Sequence, residues 1–153
     1  MQRVAEYLYS IAITLWVGAL WAIGYLAAPV LFRLLDDRAL AGRVAGEMFT
    51  YVAWLGIAAA AYLLVFVALR KEGGAFRSSV FWLVLLMLLL TVAGYFGVQP
   101  ILAQLKADSF PREVMESALR DRFVAWHGVS SVVYLIQSLL GLMLVALQGR
   151  GLR

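Results

Sequence analysis

The chain has no cysteine, one histidine and few charges. Without cysteine there is no disulfide framework, no thiolate metal site and no thiol nucleophile. With His127 as the lone imidazole, haem held by paired histidines is excluded. The phosphate-loop pattern GxxxxGK[ST], the zinc-protease pattern HExxH and the hydrolase pattern GxSxG are all absent. Apart from Asp121, ahead of the apolar stretch that holds His127, no aspartate falls within an apolar run to orient a serine–histidine pair, so the chain does not read as an enzyme. Charged residues make up 14% of the sequence, well below the roughly one quarter of soluble domains. The net charge of +4 is scattered beside apolar runs and forms no basic stripe, which argues against nucleic acid as a partner.

What the chain has in abundance is apolar residues, 64% of the total, with a mean hydropathy of +0.88. That composition reads as an all-α, polytopic integral membrane protein whose first partner is the lipid bilayer. Four apolar runs are long enough to cross a membrane as helices, at about 4–35, 38–69, 76–105 and 111–147. They predict a single membrane domain built as a four-helix bundle. Asp36 and Asp37 break the first run and can cap the second. Residues 70–74, Arg-Lys-Glu-Gly-Gly, stop the second with cations and a glycine cap. Pro111 starts the fourth, and Glu113 and Glu116 suit its positive N-terminus. The first run is too long for a secretory h-region and carries Trp16, Trp21 and Tyr25, so it reads as a span and not as a cleaved leader. The end bearing both termini and the second loop holds six Lys/Arg against two acids, the other end seven against seven. The compact basic second loop places both termini in the cytoplasm, with the chain in a bacterial inner membrane.

Within the fourth run, one helical stripe is unusual. Arg120, Phe123, His127, Ser130, Ser131, Tyr134, Ser138 and Gly141 share a face at about 100° per residue. Val129, Val132, Ile136, Leu139 and Met143 lie opposite.

The chain also repeats itself. Residues 52–63, VAWLGIAAAAYL, align with residues 124–135, VAWHGVSSVVYL, at an offset of 72 with six of twelve positions identical. Pro29 and Pro100 match at an offset of 71. The reading is two similar hairpins in a parallel repeat, related by an axis along the membrane normal. The second copy is the polar one, with His127 for Leu55, Ser130 and Ser131 for Ala58 and Ala59, and Gln99 for Ala28.

Polar residues inside spans are costly and turn towards protein or water. His127, Gln99, Glu47 and Arg43 are expected at similar depth, and with Ser130, Ser131, Tyr134 and Trp126 they form a candidate polar pocket for a small solute or ion. The plainer alternative is a hydrogen-bonded cluster that pins the helices together. Arg43 and Glu47, spaced i, i+4, are expected to pair. Pro29 and Pro100 each free a carbonyl one turn earlier, and kinks there would splay one end of the bundle into a vestibule. For a metal, His127 with Met48 and Met115 would suit only a soft, copper-type ion, and methionine is equally an ordinary packing residue.

Three stretches carry a family resemblance: residues 15–32, LWVGALWAIGYLAAPVLF; residues 40–49, LAGRVAGEMF; and residues 126–135, WHGVSSVVYL. Together they resemble the domain-of-unknown-function family 4149, a bacterial group akin to eukaryotic transmembrane protein 205. The His-Gly-x-Ser core is matched by His127, Gly128 and Ser130, whereas Tyr134 stands where eukaryotic members often carry asparagine. The eukaryotic group is linked to tolerance of platinum drugs, and the family looks distantly similar to copper-resistance membrane proteins. The resemblance therefore implies transport or metal tolerance, by analogy alone. The function expected is a small solute- or metal-handling membrane protein with its pocket near His127. The alternative is an assembly subunit that binds a partner protein, or a second copy of itself, through its polar and small-residue stripes.

Overall fold

A computed structural model describes residues 2–70, 74–109, 115 and 117–152. Among the described residues the chain is all-α, with four long apolar spans at Gln2–Leu34, Arg38–Arg70, Ser79–Asp108 and Arg120–Leu152. Inside a bilayer every backbone N–H must be satisfied within its own helix, and that requirement selects this form. The spans make a polytopic helical bundle. The first packs on the second and fourth, and the third does the same, so the four close into a ring.

The helix bounds differ in detail from the apolar runs. The third span begins at Ser79, because Ala75–Arg77 forms a separate 3-10 turn. It ends at Asp108, and the fourth span runs on to Leu152. Asp37 Oδ1 accepts the Leu40 N–H at 2.9 Å, the capping bond its position suggested. The expected start at Pro111 with Glu113 and Glu116, and Lys71 to Gly73 of the expected stop, lie outside the described residues.

The two prolines act through a specific device. Each is preceded by a wide π turn, Ala22–Ala27 before Pro29 and Ala93–Val98 before Pro100. At each, the bond closes over five residues, Ala28 N–H to the Ile23 carbonyl and Gln99 N–H to the Gly94 carbonyl. Proline has no N–H to give, so the ladder widens ahead of it before the α-helix resumes. The two turns recur at an offset of 71, the spacing of the prolines themselves.

The bundle is packed unevenly along its length. The fully buried large side chains, among them Tyr9, Ile13, Leu63, Val67, Val80, Val84, Met87 and Leu144, gather towards the end that bears the termini. There the Tyr9 hydroxyl donates to the Gln148 carbonyl at 3.0 Å and its ring meets Phe66 at 4.8 Å. Arg70 pairs with Glu6 at 2.7 Å and also donates to the Leu152 carbonyl. The opposite end holds a cavity.

Candidate functional site

The cavity starts from one tyrosine. The Tyr134 hydroxyl donates to the Leu20 carbonyl at 2.5 Å and also hydrogen-bonds the backbone of Gly24. Leu20 and Gly24 are four residues apart, the pair that an unbroken α-helix would join directly. The hydroxyl thus stands inside the ladder of the first span at the start of its π turn, a known cause of helix distortion. Only glycine permits this, since a Cβ at position 24 would fall on the Tyr134 ring edge. The ring is held further by Phe49 at 5.2 Å and Tyr25 at 6.1 Å.

Between the two π turns the helices part around a cavity of about 560 Å³. That is within the range of small-molecule sites, roughly 300–1,000 Å³. Trp16 and Phe32 bracket it on the first span, about 24 Å of helix apart at 1.5 Å per residue. The wall takes residues from all four spans and both π turns. Its deep end is made by Trp16, Leu20, Val52 and Leu90, with Thr91 and Gln137. Its outer end carries Gln99, His127, Ser130 and Ser131.

The polar groups of the outer end are partly committed. Ser131 donates its proton to the His127 carbonyl at 2.9 Å, which leaves its oxygen as an acceptor. The His127 ring stacks on Phe123, with centroids 5.7 Å apart and planes 13° from parallel. Lys106 Nζ stands 5.8 Å from the same Phe123 ring, so an aromatic ring is shared between an imidazole and a cation just outside the wall.

The predicted residues fall into two groups. His127, Gln99, Ser130, Ser131 and Tyr134 come together on the cavity wall. Arg43, Glu47 and Trp126 are not part of it. Arg43 and Glu47 are exposed and form no ion pair with one another, contrary to the spacing argument. At an exposed site such a pair gains little over hydration, so nothing holds the two long side chains together. Met48 and Met115 also lie off the wall, so neither of these candidate metal ligands joins His127 in the cavity. Among the described residues no group of three or more His, Cys, Asp or Glu side chains could hold a metal ion.

The stripe itself is divided. Its inner part is used within the chain: Ser138 is fully buried and donates to the Tyr134 carbonyl at 2.8 Å. Its carbonyl in turn receives the Trp21 indole N–H at 3.3 Å. Gly141 is buried, and a Cβ there would press on Val17. Only the His127 half of the stripe remains open.

Gln137 and Thr91 are wall residues that the sequence reading passed over. Gln137 lies about 60° around the helix from Tyr134, off the stripe that was followed. The available signal was an amide amid apolar residues, which by itself marks a costly position.

A second, shallower hollow of about 260 Å³ lies between the first and second spans. The second span gives it Leu55, Ala58, Ala59 and Tyr62. These are the positions that correspond, at an offset of 72, to His127, Ser130, Ser131 and Tyr134. Tyr62 even makes the same kind of bond, its hydroxyl donating to the Ala5 carbonyl of the first span at 2.9 Å.

Residues 11–111 match the family described as a domain of unknown function, DUF4149. The chain belongs to the DUF4149 family. The matched stretch covers nearly all of the first three spans, including both π turns and Pro29 and Pro100. It ends ahead of His127, so the His-Gly-x-Ser motif lies beyond the part that carries membership. No curated protein and no solved structure matches the chain.

Proposed function

We propose that this DUF4149 protein binds a small amphiphilic solute in the cavity between its two π turns. Its polar end would sit at His127, Gln99, Ser130 and Ser131 and its apolar body against Trp16, Leu20 and Val52. The observation that carries the reading is the graded polarity of the wall: Gln99, His127, Ser130 and Ser131 gather at the outer end, and the surface behind them is mostly aliphatic and indole, with Thr91 and Gln137 its polar exceptions. A membrane-dissolved amphiphile matches that gradient in both length and chemistry. With both termini in the cytoplasm, the mouth of the site faces the outer side of an inner membrane, and the packed end below it makes the site a one-ended receptacle. The handling is binding and presentation, without covalent chemistry.

Two other readings fit less well. The likeness to transmembrane protein 205 and to copper-resistance proteins would make the occupant a metal or its complex. One imidazole with no methionine on the wall is a poor ligand set for a bare ion. The assembly reading needs a free polar stripe, and the inner half of that stripe is already spent on Trp21 and Val17.

The test uses 11-bromoundecanol, whose bromine quenches indole fluorescence on contact. Added to the protein in phosphatidylcholine nanodiscs, it should give saturable quenching that disappears in Trp16→Phe. It should also disappear in Gly94→Leu. Gly94 is on the wall and a Cβ there meets nothing within 4 Å, so a leucine side chain starts from open space and takes up part of the cavity. Saturable quenching that survives Gly94→Leu would place the probe elsewhere and end the proposal.

A further inference from the structure

The outer mouth of the cavity carries a cation that no described acid pairs. Lys106 belongs to the third span, and its Nζ reaches the other three. It stands 5.8 Å from the centre of the Phe123 ring on the fourth span. A Cβ built at Gly42 of the second span would lie 3.8 Å from Nζ and 3.9 Å from Cζ of Phe32. Phe32 is the outermost wall residue of the first span, so the ammonium group and that ring end meet over one glycine at the open end of the cavity. Phe123 in turn stacks on the His127 ring at 5.7 Å, which ties the cation to the polar end of the wall. The ammonium has a cation–π contact there but no counter-ion. Among the described residues the acids of this end, Asp36, Asp37, Glu47, Asp108 and Asp121, are all exposed, and none pairs with Lys106.

The wall beneath this cation has the matching character. It includes no carboxylate. Of the four hydroxyls of the fourth span, those of Ser131, Tyr134 and Ser138 are spent on backbone carbonyls, and only that of Ser130 is not. The side chains of Gln99 and His127 also make no hydrogen bond among the described residues. Each of these three wall residues has an N–H or O–H to give. Uncommitted donors below a cation, with no acid on the wall, form a receiving end for negative charge. We infer that the solute of this cavity is an anion: a small amphiphile whose carboxylate, phosphate or sulfate head lies under Lys106 and accepts hydrogen bonds from Gln99, His127 and Ser130. This rests on the cavity being the binding site, and it narrows the class of solute from amphiphiles in general to anionic ones. A neutral alcohol can take the same donors but leaves the ammonium without a counter-ion. Lys106 thus sets the charge preference from outside the wall, while the apolar body of the solute is held as before.

The experiment compares 11-bromoundecyl sulfate, which is charged at any working pH, with 11-bromoundecanol. Saturable indole quenching is measured on the full chain in phosphatidylcholine nanodiscs at low ionic strength, where an ion pair is least screened. Each affinity is taken relative to that probe's own partition into empty nanodiscs. The sulfate should bind about fivefold tighter, the upper effect of an ion pair at a site open to water. In Lys106→Met the preference should fall to unity while 11-bromoundecanol affinity holds, and in Lys106→Arg it should remain. Equal affinities for the unaltered protein, or a tighter alcohol, would overturn this inference and leave the cavity reading intact. A preference that survives Lys106→Met would overturn it as well, because the charge would then come from elsewhere. Saturable quenching by neither probe would remove the cavity reading and this inference with it. Because the first comparison needs no variant, misfolding of a Lys106 variant does not rescue the idea.

Discussion

Leu55, Ala58, Ala59 and Tyr62 on the second span, and His127, Ser130, Ser131 and Tyr134 on the fourth, are one sequence pattern used twice. Both quartets face a hollow, and both tyrosines donate to a carbonyl of the first span. The difference is where each docks. Tyr62 reaches Ala5, close to the packed end, whereas Tyr134 reaches Leu20, fifteen residues further along, roughly 22 Å of helix. At Ala5 the first span is an ordinary α-helix, so the tyrosine adds a bond to its outside. At Leu20 it meets Gly24 and the start of a π turn, so the hydroxyl enters the ladder itself. The same face thus makes a shallow apolar hollow in one place and a deep, polar-ended cavity in the other. What distinguishes the two is the partner surface. The glycine and proline of the first span, and Pro100 of the third, turn a docking contact into an opening.

The largest expected effect tests that partner surface. Gly24→Ala puts a methyl group on the Tyr134 ring edge. The ring must leave, and both hydroxyl bonds go with it. Overpacking of this kind costs about 3 kcal/mol at its upper range, and unfolding in a denaturing detergent would measure it. Tyr134→Leu added to Gly24→Ala should recover a good part of the loss, because the clash is then gone. A Gly24→Ala protein as stable as the parent would mean that Tyr134 does not depend on this approach.

A smaller effect separates the two tyrosines. Hydrogen bonds between membrane helices are worth on average about 0.6 kcal/mol. Tyr62→Phe removes one such bond and should cost about that much. Tyr134→Phe removes a bond to Leu20 and one to Gly24, so roughly 1 kcal/mol or more is expected. Equal losses would erase the distinction between a bond outside the ladder and one within it.

Much of this was legible before the fold was known, and the parts that were not share a cause. Four spans and their order follow from apolar runs and helix length. Pro29 and Pro100 announced a distortion, though not that it would precede them as a π turn. The polar decoration of the second copy was readable from Leu55 against His127. Depth was not readable. Periodicity fixes which residues share a face of one helix and says nothing of how far that helix slides along its neighbour. Hence Glu47 and Arg43, expected beside His127, stand off the wall, while Gln137 and Thr91 are on it. The two copies agree in local form yet meet the first span at different depths, which the sequence offset alone conceals. Composition also fails here as a guide to burial. In an apolar chain Val132, 57% exposed, and Val84, fully buried, look alike, because one faces lipid and the other faces protein.

The finest test converts one quartet into the other. His127→Leu with Ser130→Ala and Ser131→Ala gives the fourth span the side chains of the plain copy at all three outer positions. His127 and Ser131 are exposed, Ser130 is half-buried, and the one side-chain bond lost is the Ser131 back-bond to its own helix. Such a back-bond adds nothing to stability, so the triple variant should unfold within about 0.5 kcal/mol of the parent. The cavity should also persist, because Gly24, Tyr134 and the two π turns that open it are untouched. What should change is 11-bromoundecanol affinity, which loses its polar receiving end while the Trp16 floor remains. Weaker quenching at unchanged stability would assign the decoration to ligand binding. Unchanged quenching would assign it to nothing beyond the surface of the fourth span, and the two copies would then differ in docking depth alone.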